Sequence, residues 1–336
     1  MRFGCSFWLD RDPRQVARQA RLAEDVGFED VWFPDHYFIR EVFGALTLAA
    51  AATTKVKLGT AVTSPYLRHP VLLASAVATL DEVSDGRAIL GVGVGGHEFP
   101  AQLGVSLERP IAACRESVEI VRRLLAGETV THKGKRFAVD RARLSFTPSR
   151  RIPVYLAARG PQMLQLAGEI ADGVITHGVH PSYLAFARER IAGGGARGSR
   201  SVSAVDLVLM GDVVVTDDLP AARDRLRARC VLMAGGEYAP DLVERYGLTA
   251  ADVEPVRAAV RAGDLAAAGK VVSDRVVDAF CTAGTAEHCR EAVRAMARSG
   301  VTHVIVAFGA GGDDAERART IETLGCELIA PLRRSP

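Results

Sequence analysis

Five short stretches of this chain place polar, basic or glycine residues directly after apolar runs of strand length. Asp35-His36 follows Val31-Trp32-Phe33-Pro34. Gly59-Thr60-Ala61-Val62-Thr63 leads into Ser64-Pro65-Tyr66-Leu67-Arg68-His69-Pro70. Leu90-Gly91-Val92-Gly93-Val94-Gly95-Gly96 precedes His97-Glu98. Ala157-Ala158-Arg159-Gly160-Pro161 and Thr176-His177-Gly178 close two further runs. Histidine is the side chain that most readily gains or loses a proton near neutrality, so His36 could carry general acid–base work. Pro161 suits a helix start, because its missing N–H would be unpaired there, and N–H groups around Arg159-Gly160 would suit a phosphate. Plainer readings stand beside these: a helix-start pair at Asp35-His36 and an ordinary turn at Arg159-Gly160.

Other chemistries find no support. Gly91, Gly93 and Gly96 match the dinucleotide spacing G-x-G-x-x-G, but that fingerprint needs a helix opening directly from the glycines. Here His97-Glu98-Phe99-Pro100 follows, and the next clear helix waits until about Pro110. The glycines are better read as letting a ligand approach the backbone closely. His97-Glu98 is not H-E-x-x-H, and His69, His132, His288 and His303 lack ligand spacing, so no metal site is expected. His69, in a turn before Pro70, reads as structural.

The elements that must position these residues recur along the whole chain. Apolar runs fall at 2–8, 30–34, 56–63, 87–94, 152–158, 173–177, 205–215 and 303–308. Helical patterns separate most of them: Val16, Ala20 and Ala23; Leu73, Ala76, Val77, Leu80 and Val83; Ile111, Cys114, Val118, Val121 and Leu125. Eight strand–helix units predict an α/β fold, a (β/α)8 TIM barrel whose strand C-termini gather at one mouth, where such barrels build their sites. Two insertions interrupt the rhythm. Residues 127–150 suggest a short hairpin, and 216–299, rich in Ala, Arg and Glu, a helical insertion before strand eight, expected to sit as a partial lid. Gly193-Gly194-Gly195 through Ser201 is expected to be a flexible surface loop. The whole chain, 1–336, reads as one barrel domain.

Composition narrows the partners. A net charge of +2 over 336 residues, without a dense Lys/Arg run, argues against a nucleic-acid surface. No apolar stretch is long enough to span a bilayer, so no membrane partner is expected. The six cysteines show no C-x-x-C pattern and suit a reduced, cytoplasmic protein.

Taken together, Asp35-His36, the 59–70 stretch, Ala78-Thr79-Leu80-Asp81-Glu82, Leu90 to Gly95, Ala157 to Pro161 and Ala167-Gly168-Glu169-Ile170-Ala171-Asp172-Gly173 resemble the luciferase-like superfamily, in its coenzyme F420-dependent branch. The C-terminal part, notably Glu244-Arg245-Tyr246-Gly247 and Gly300-Val301-Thr302, is similar to methylene-tetrahydromethanopterin reductases. The resemblance implies an oxidoreductase moving hydride between coenzyme F420 and a small organic substrate. That substrate is expected to be a methylene-tetrahydropterin or tetrahydrofolate. The alternatives are an FMN-dependent monooxygenase and a non-catalytic F420 or flavin carrier. It implies that His36 contacts the cofactor's central ring and Asp35 orients ring atoms. Ala61, Val62 and Thr63 would back the ring, with a cis peptide between Ala61 and Val62. Val94, Gly95 and Gly96 would form a wall, Ala158, Arg159 and Gly160 would take the phosphodiester, and Thr176 and His177 would complete the pocket. Relatives place acids where this chain has Ser6 and Gly96, which leaves Glu98 as the second catalytic candidate. A homodimer is also implied.

Overall fold

A computed structural model describes residues 1–36, 38–95, 102–236, 243–309 and 313–334. Eight of its strands are β1 (Arg2–Phe7), β2 (Asp30–Phe33), β3 (Lys57–Thr60), β4 (Ala88–Val92), β7 (Val154–Ala157), β8 (Gly173–Thr176), β9 (Asp206–Gly211) and β12 (His303–Phe308). They pair in parallel in that order, and β12 returns to β1 with Arg2 opposite His303 and Phe7 opposite Phe308. The eight predicted strands and the closed barrel are therefore present.

Past their first residues these strands are largely apolar because both faces are covered. Side chains alternate across a strand, so Phe3, Cys5 and Phe7 face the helices. Trp32, Ile89, Tyr155, Ile175, Val208 and Ile305 fill the interior as a separate cluster. The barrel floor is polar. Asp30 accepts a hydrogen bond from Trp32 Nε1 and lies 2.9 Å from His303 Nε2. Tyr155 donates to Asp206 at 2.6 Å, and Asp206 also pairs with Arg2.

Helices α1 (Pro13–Asp25), α2 (Val42–Ala52), α3 (Pro70–Val83) and α4 (Pro110–Leu125) cover the first half. His69 caps α3, its Nδ1 accepting from the Val71 N–H at 3.3 Å, which is the structural role expected of it. The predicted hairpin is β5 (Val130–Lys133) with β6 (Ala138–Ala142). Its turn is held by Glu116 of α4, which accepts from the N–H groups of Lys135, Arg136 and Phe137 at 2.8, 2.9 and 2.9 Å.

The second half departs from expectation twice. The run 205–215 is two strands, not one. Asp212 leaves the barrel after β9, forms a half-buried ion pair with Arg229 at 3.0 Å, and directs β10 (Val213–Val215) outward. There β10 pairs in parallel with β11 (Thr282–Gly284). Nor are the glycines at 193–195 a loop. They lie inside α6 (Pro181–Arg197), against α5 (Pro161–Ile170). A Cβ on Gly194 would sit 1.9 Å from the Gln165 carbonyl oxygen, and one on Gly168 2.1 Å from that of Ile191. The glycines let two helix backbones touch, an arrangement that composition alone makes look like flexibility.

The helical insertion comprises α7 (Leu219–Gly235), a 3₁₀ turn at Glu244–Tyr246, α8 (Ala250–Arg261), α9 (Leu265–Lys270) and α10 (Asp274–Phe280). It is followed by β11 and α11 (Ala286–Arg298), and α12 (Asp314–Thr323) follows β12. Tyr246 pins the insertion to the barrel. Its ring centroid lies 4.6 Å from those of both Tyr183 on α6 and Phe280 on α10. All six cysteines are free thiols. Among the described residues, no helix is long and apolar enough to cross a membrane.

Candidate active site at the barrel mouth

The C-terminal ends of β2 and β3 are locked together by one carboxylate. Asp35 accepts from Thr63 Oγ1 at 2.7 Å and from Arg68 Nε and Nη2 at 2.7 and 3.1 Å. Arg68 also donates to Glu41 at 2.8 Å and stands 5.3 Å from the centre of the Phe43 ring. Asp35 is thus committed to protein partners and positions the neighbouring His36. Arg68 belongs to the 59–70 stretch, but nothing in that stretch says which acid it meets.

His36 is half-buried beside Trp8, with ring centroids 5.0 Å apart. Burial pushes its imidazole below the ordinary 6.5, against the opposing pull of the Asp35 charge. At neutral pH it is therefore an uncharged ring able to accept a proton. Trp8 lies just past β1, and the same strand-end rule that singles out Asp35-His36 would have found it.

The peptide between Ala61 and Val62 is cis, as the resemblance implies. Ala61 and Val62 pack on the interior cluster. Gly93 follows β4 directly; a Cβ there would stand 2.5 Å from Val62 Cγ2 and 2.9 Å from Ala157 Cβ. Ala61, Val62, Gly93 and Ala157 thus form a low wall of small residues at the ends of β3, β4 and β7. Thr63 is fully buried and its polar groups are all used: besides Asp35, its N–H donates to the Gly91 carbonyl and its carbonyl accepts from Gly93 N–H, each at 2.9 Å. Val94 is half-buried and Gly95 exposed with φ +84°. Gly96 and Glu98 lie outside the described residues.

Beyond β7 the residues divide by direction. Ala158 points into the core behind the barrel, and its N–H donates to the Ile175 carbonyl at 2.9 Å, so it has no hydrogen bond to offer a phosphate. Arg159 is half-buried, and its guanidinium makes no ion pair with any described residue. Gly160 begins α5 without a side-chain cap, which leaves first-turn N–H groups open to an anion. Thr176 is fully buried and faces α6, sharing a hydrogen bond with the Tyr183 hydroxyl. Tyr183 in turn lies 3.4 Å from the Arg159 carbonyl oxygen, so the aromatic pin of the insertion leads directly to this turn. His177 faces the barrel interior, and its Nδ1 is 2.8 Å from the Met210 carbonyl oxygen. Burial, with the charges of Arg159 and Arg229, pushes its pKa down to about 4, against the bond to Met210.

His36, the small-residue wall and Arg159 therefore stand at the ends of β2, β3, β4 and β7. A flat ring system laid on the wall with an anionic group toward Arg159 fits this arrangement.

The family model described as luciferase-like monooxygenase matches residues 2–303. The chain is 36% identical over 99% of its length, and all of the relative's, to 5,10-methylenetetrahydromethanopterin reductase of Archaeoglobus fulgidus. It is 36% identical over 98% of its length, and again all of the relative's, to the enzyme of that name from Methanolobus tindarius. Among solved structures, coenzyme F420-dependent tetrahydromethanopterin reductase from Methanopyrus kandleri superposes with a TM-score of 0.89. That alignment is 32% identical and covers 98% of this chain and 99% of that one. The chain belongs to the luciferase-like monooxygenase family, within its coenzyme F420-dependent oxidoreductases.

Proposed function

We propose that the protein is a coenzyme F420-dependent reductase of a methylene-tetrahydropterin. The observation that carries this reading is the conjunction at the mouth: a neutral His36, the Ala61, Val62, Gly93 and Ala157 wall, and an Arg159 without an ion pair among the described residues, all at neighbouring strand ends. When bound, the coenzyme would supply hydride chemistry. Ala61, Val62 and Gly93 would back its ring, and Arg159 with the open start of α5 would hold its phosphate. His36 would take up and return a proton through Nε2, since its Nδ1 is buried. Asp35 and Arg68 would hold that ring in place. Ser6 is buried on β1 and has no carboxyl, so it cannot serve as the acid there. This makes His36 the described group best suited to proton traffic.

The test is turnover. Reduced F420 should be oxidised when 5,10-methylenetetrahydromethanopterin is added and should stay reduced without it. Oxidation that instead consumes oxygen would support the monooxygenase reading. Binding without turnover on any substrate would support the carrier reading.

The same proposal includes a homodimer through α2 and α3. The α2 segment carries no charged residue, and Leu48, Leu72 and Val83 on these helices are 42%, 67% and 46% exposed. Exposed apolar side chains of this kind favour association. By light scattering the wild type should have twice the chain mass, and the double variant Leu48→Glu, Leu72→Glu should run as a folded monomer. A wild-type monomer would remove the proposal.

A further inference from the structure

We propose that His177 is a hydrogen-bond acceptor of fixed tautomer in the ligand site. Its Nδ1–H is committed to the Met210 carbonyl, and its Nε2 is offered to an N–H or O–H group of the bound ligand. The first half follows from elementary bonding. A carbonyl oxygen only accepts, so a ring nitrogen 2.8 Å from it must carry the proton. A neutral imidazole has one N–H, so Nε2 then holds a lone pair. Nε2 has no partner among the described residues, and the side chain stays half-buried at the mouth.

The surroundings keep the ring neutral. The charges that act on it are those of Arg159 after β7 and Arg229 on α7, both cationic, and Arg229 is itself paired with Asp212. They oppose a second proton on the ring, and burial acts in the same direction. The result is a division of labour across the mouth. Arg159 presents a cation to an anion, while His177 presents a lone pair that repels phosphate and carboxylate and selects a donor. Donors exist on both ligands of the proposed reaction, as hydroxyl or ring N–H groups. The proposal rests on that reading only for which ligand carries the donor.

The test reads the ring directly. The protein labelled with 15N-histidine is examined by long-range 1H–15N correlation, with His177 assigned by its loss in His177→Gln. The free protein should show a proton on Nδ1 alone from pH 8 to pH 5.5. Saturation with F420, and separately with F420 plus 5,10-methylenetetrahydromethanopterin, should move the Nε2 resonance in one arm first, and that arm names the donor. A proton on Nε2 in the free protein, or a second proton taken up near pH 6.5, would overturn the proposal. So would an unmoved Nε2 in both arms while fluorescence shows the ligands bound. If fluorescence shows no binding, the coenzyme reading fails, and the free-protein spectrum still decides the tautomer.

Kinetics give an independent check. His177→Leu should raise KM for the contacted ligand about tenfold with little change in kcat, the scale of one lost hydrogen bond. His177→Gln, whose amide can both donate to Met210 and accept from the ligand, should recover most of it. Equal losses in the two variants would mean that His177 only fills space.

Discussion

Replacing His36 with alanine should lower kcat by about 10²–10⁴-fold, the range expected for loss of a positioned acid–base group. The KM for reduced coenzyme should change far less. The small-residue wall and Arg159, which would bind the ring and the phosphate, do not depend on the imidazole. The pH profile supplies the sign. Burial holds His36 below its ordinary 6.5, so the proton-accepting form is populated above that folded value, and activity falls as pH drops through it. The acid limb of the kcat profile should therefore lie below 6.5 and vanish in His36→Ala. Steady-state kinetics from pH 5 to 8 on both proteins would check this. Retention of near-wild-type kcat by the variant would make His36 a structural residue.

The second large effect lies at the other end of the barrel. Asp30→Ala should destabilise the fold by about 3–5 kcal/mol, because it leaves His303 and the Trp32 N–H buried without their acceptor. Burial works to raise the Asp30 pKa, but the His303 charge and the hydrogen bonds from His303 and Trp32 outweigh it, and the net shift is downward. A carboxylate with a depressed folded pKa contributes stability above its unfolded value, near 3.8, and loses it as pH falls through the folded one. Urea unfolding should thus show a lower midpoint for the variant at neutral pH. The gap should shrink toward acid, at pH values below 3.8. Equal midpoints at neutral pH would show that the floor network adds nothing. The variant should still bind coenzyme wherever it is folded, since the floor lies at the opposite end of the barrel from the mouth.

What the sequence made legible was whatever depends on local order. Strands buried on both faces read as continuous apolar runs, so all eight barrel strands could be located. The strand-end rule then led to Asp35, His36, Arg159 and His177. Direction was harder. Ala158 and Thr176 sit among the right residues, but alternation along β7 and β8 turns their side chains away from the interior. Partners distant in sequence were not readable at all. Nothing in the Arg68 neighbourhood names Asp35, and nothing near His177 names the Met210 carbonyl, 33 residues on. The two structural surprises share a cause. Asp212 reads as part of one strand and the 193–195 glycines as a loop, but a half-buried ion pair and a helix–helix contact, both tertiary, decide their roles.

The most direct test of the central claim is to titrate the purified protein with F420 and with FMN side by side. Both offer a tricyclic ring and a phosphate, so the barrel alone does not choose between them. The small-residue wall, and a cationic Arg159 facing F420's anionic tail, should make F420 bind at least tenfold more tightly, a difference of about 1.4 kcal/mol. Added salt should narrow that margin, because exposed charges are screened, and Arg159→Ala should narrow it further. Equal affinity, or tighter binding of FMN, would contradict the account.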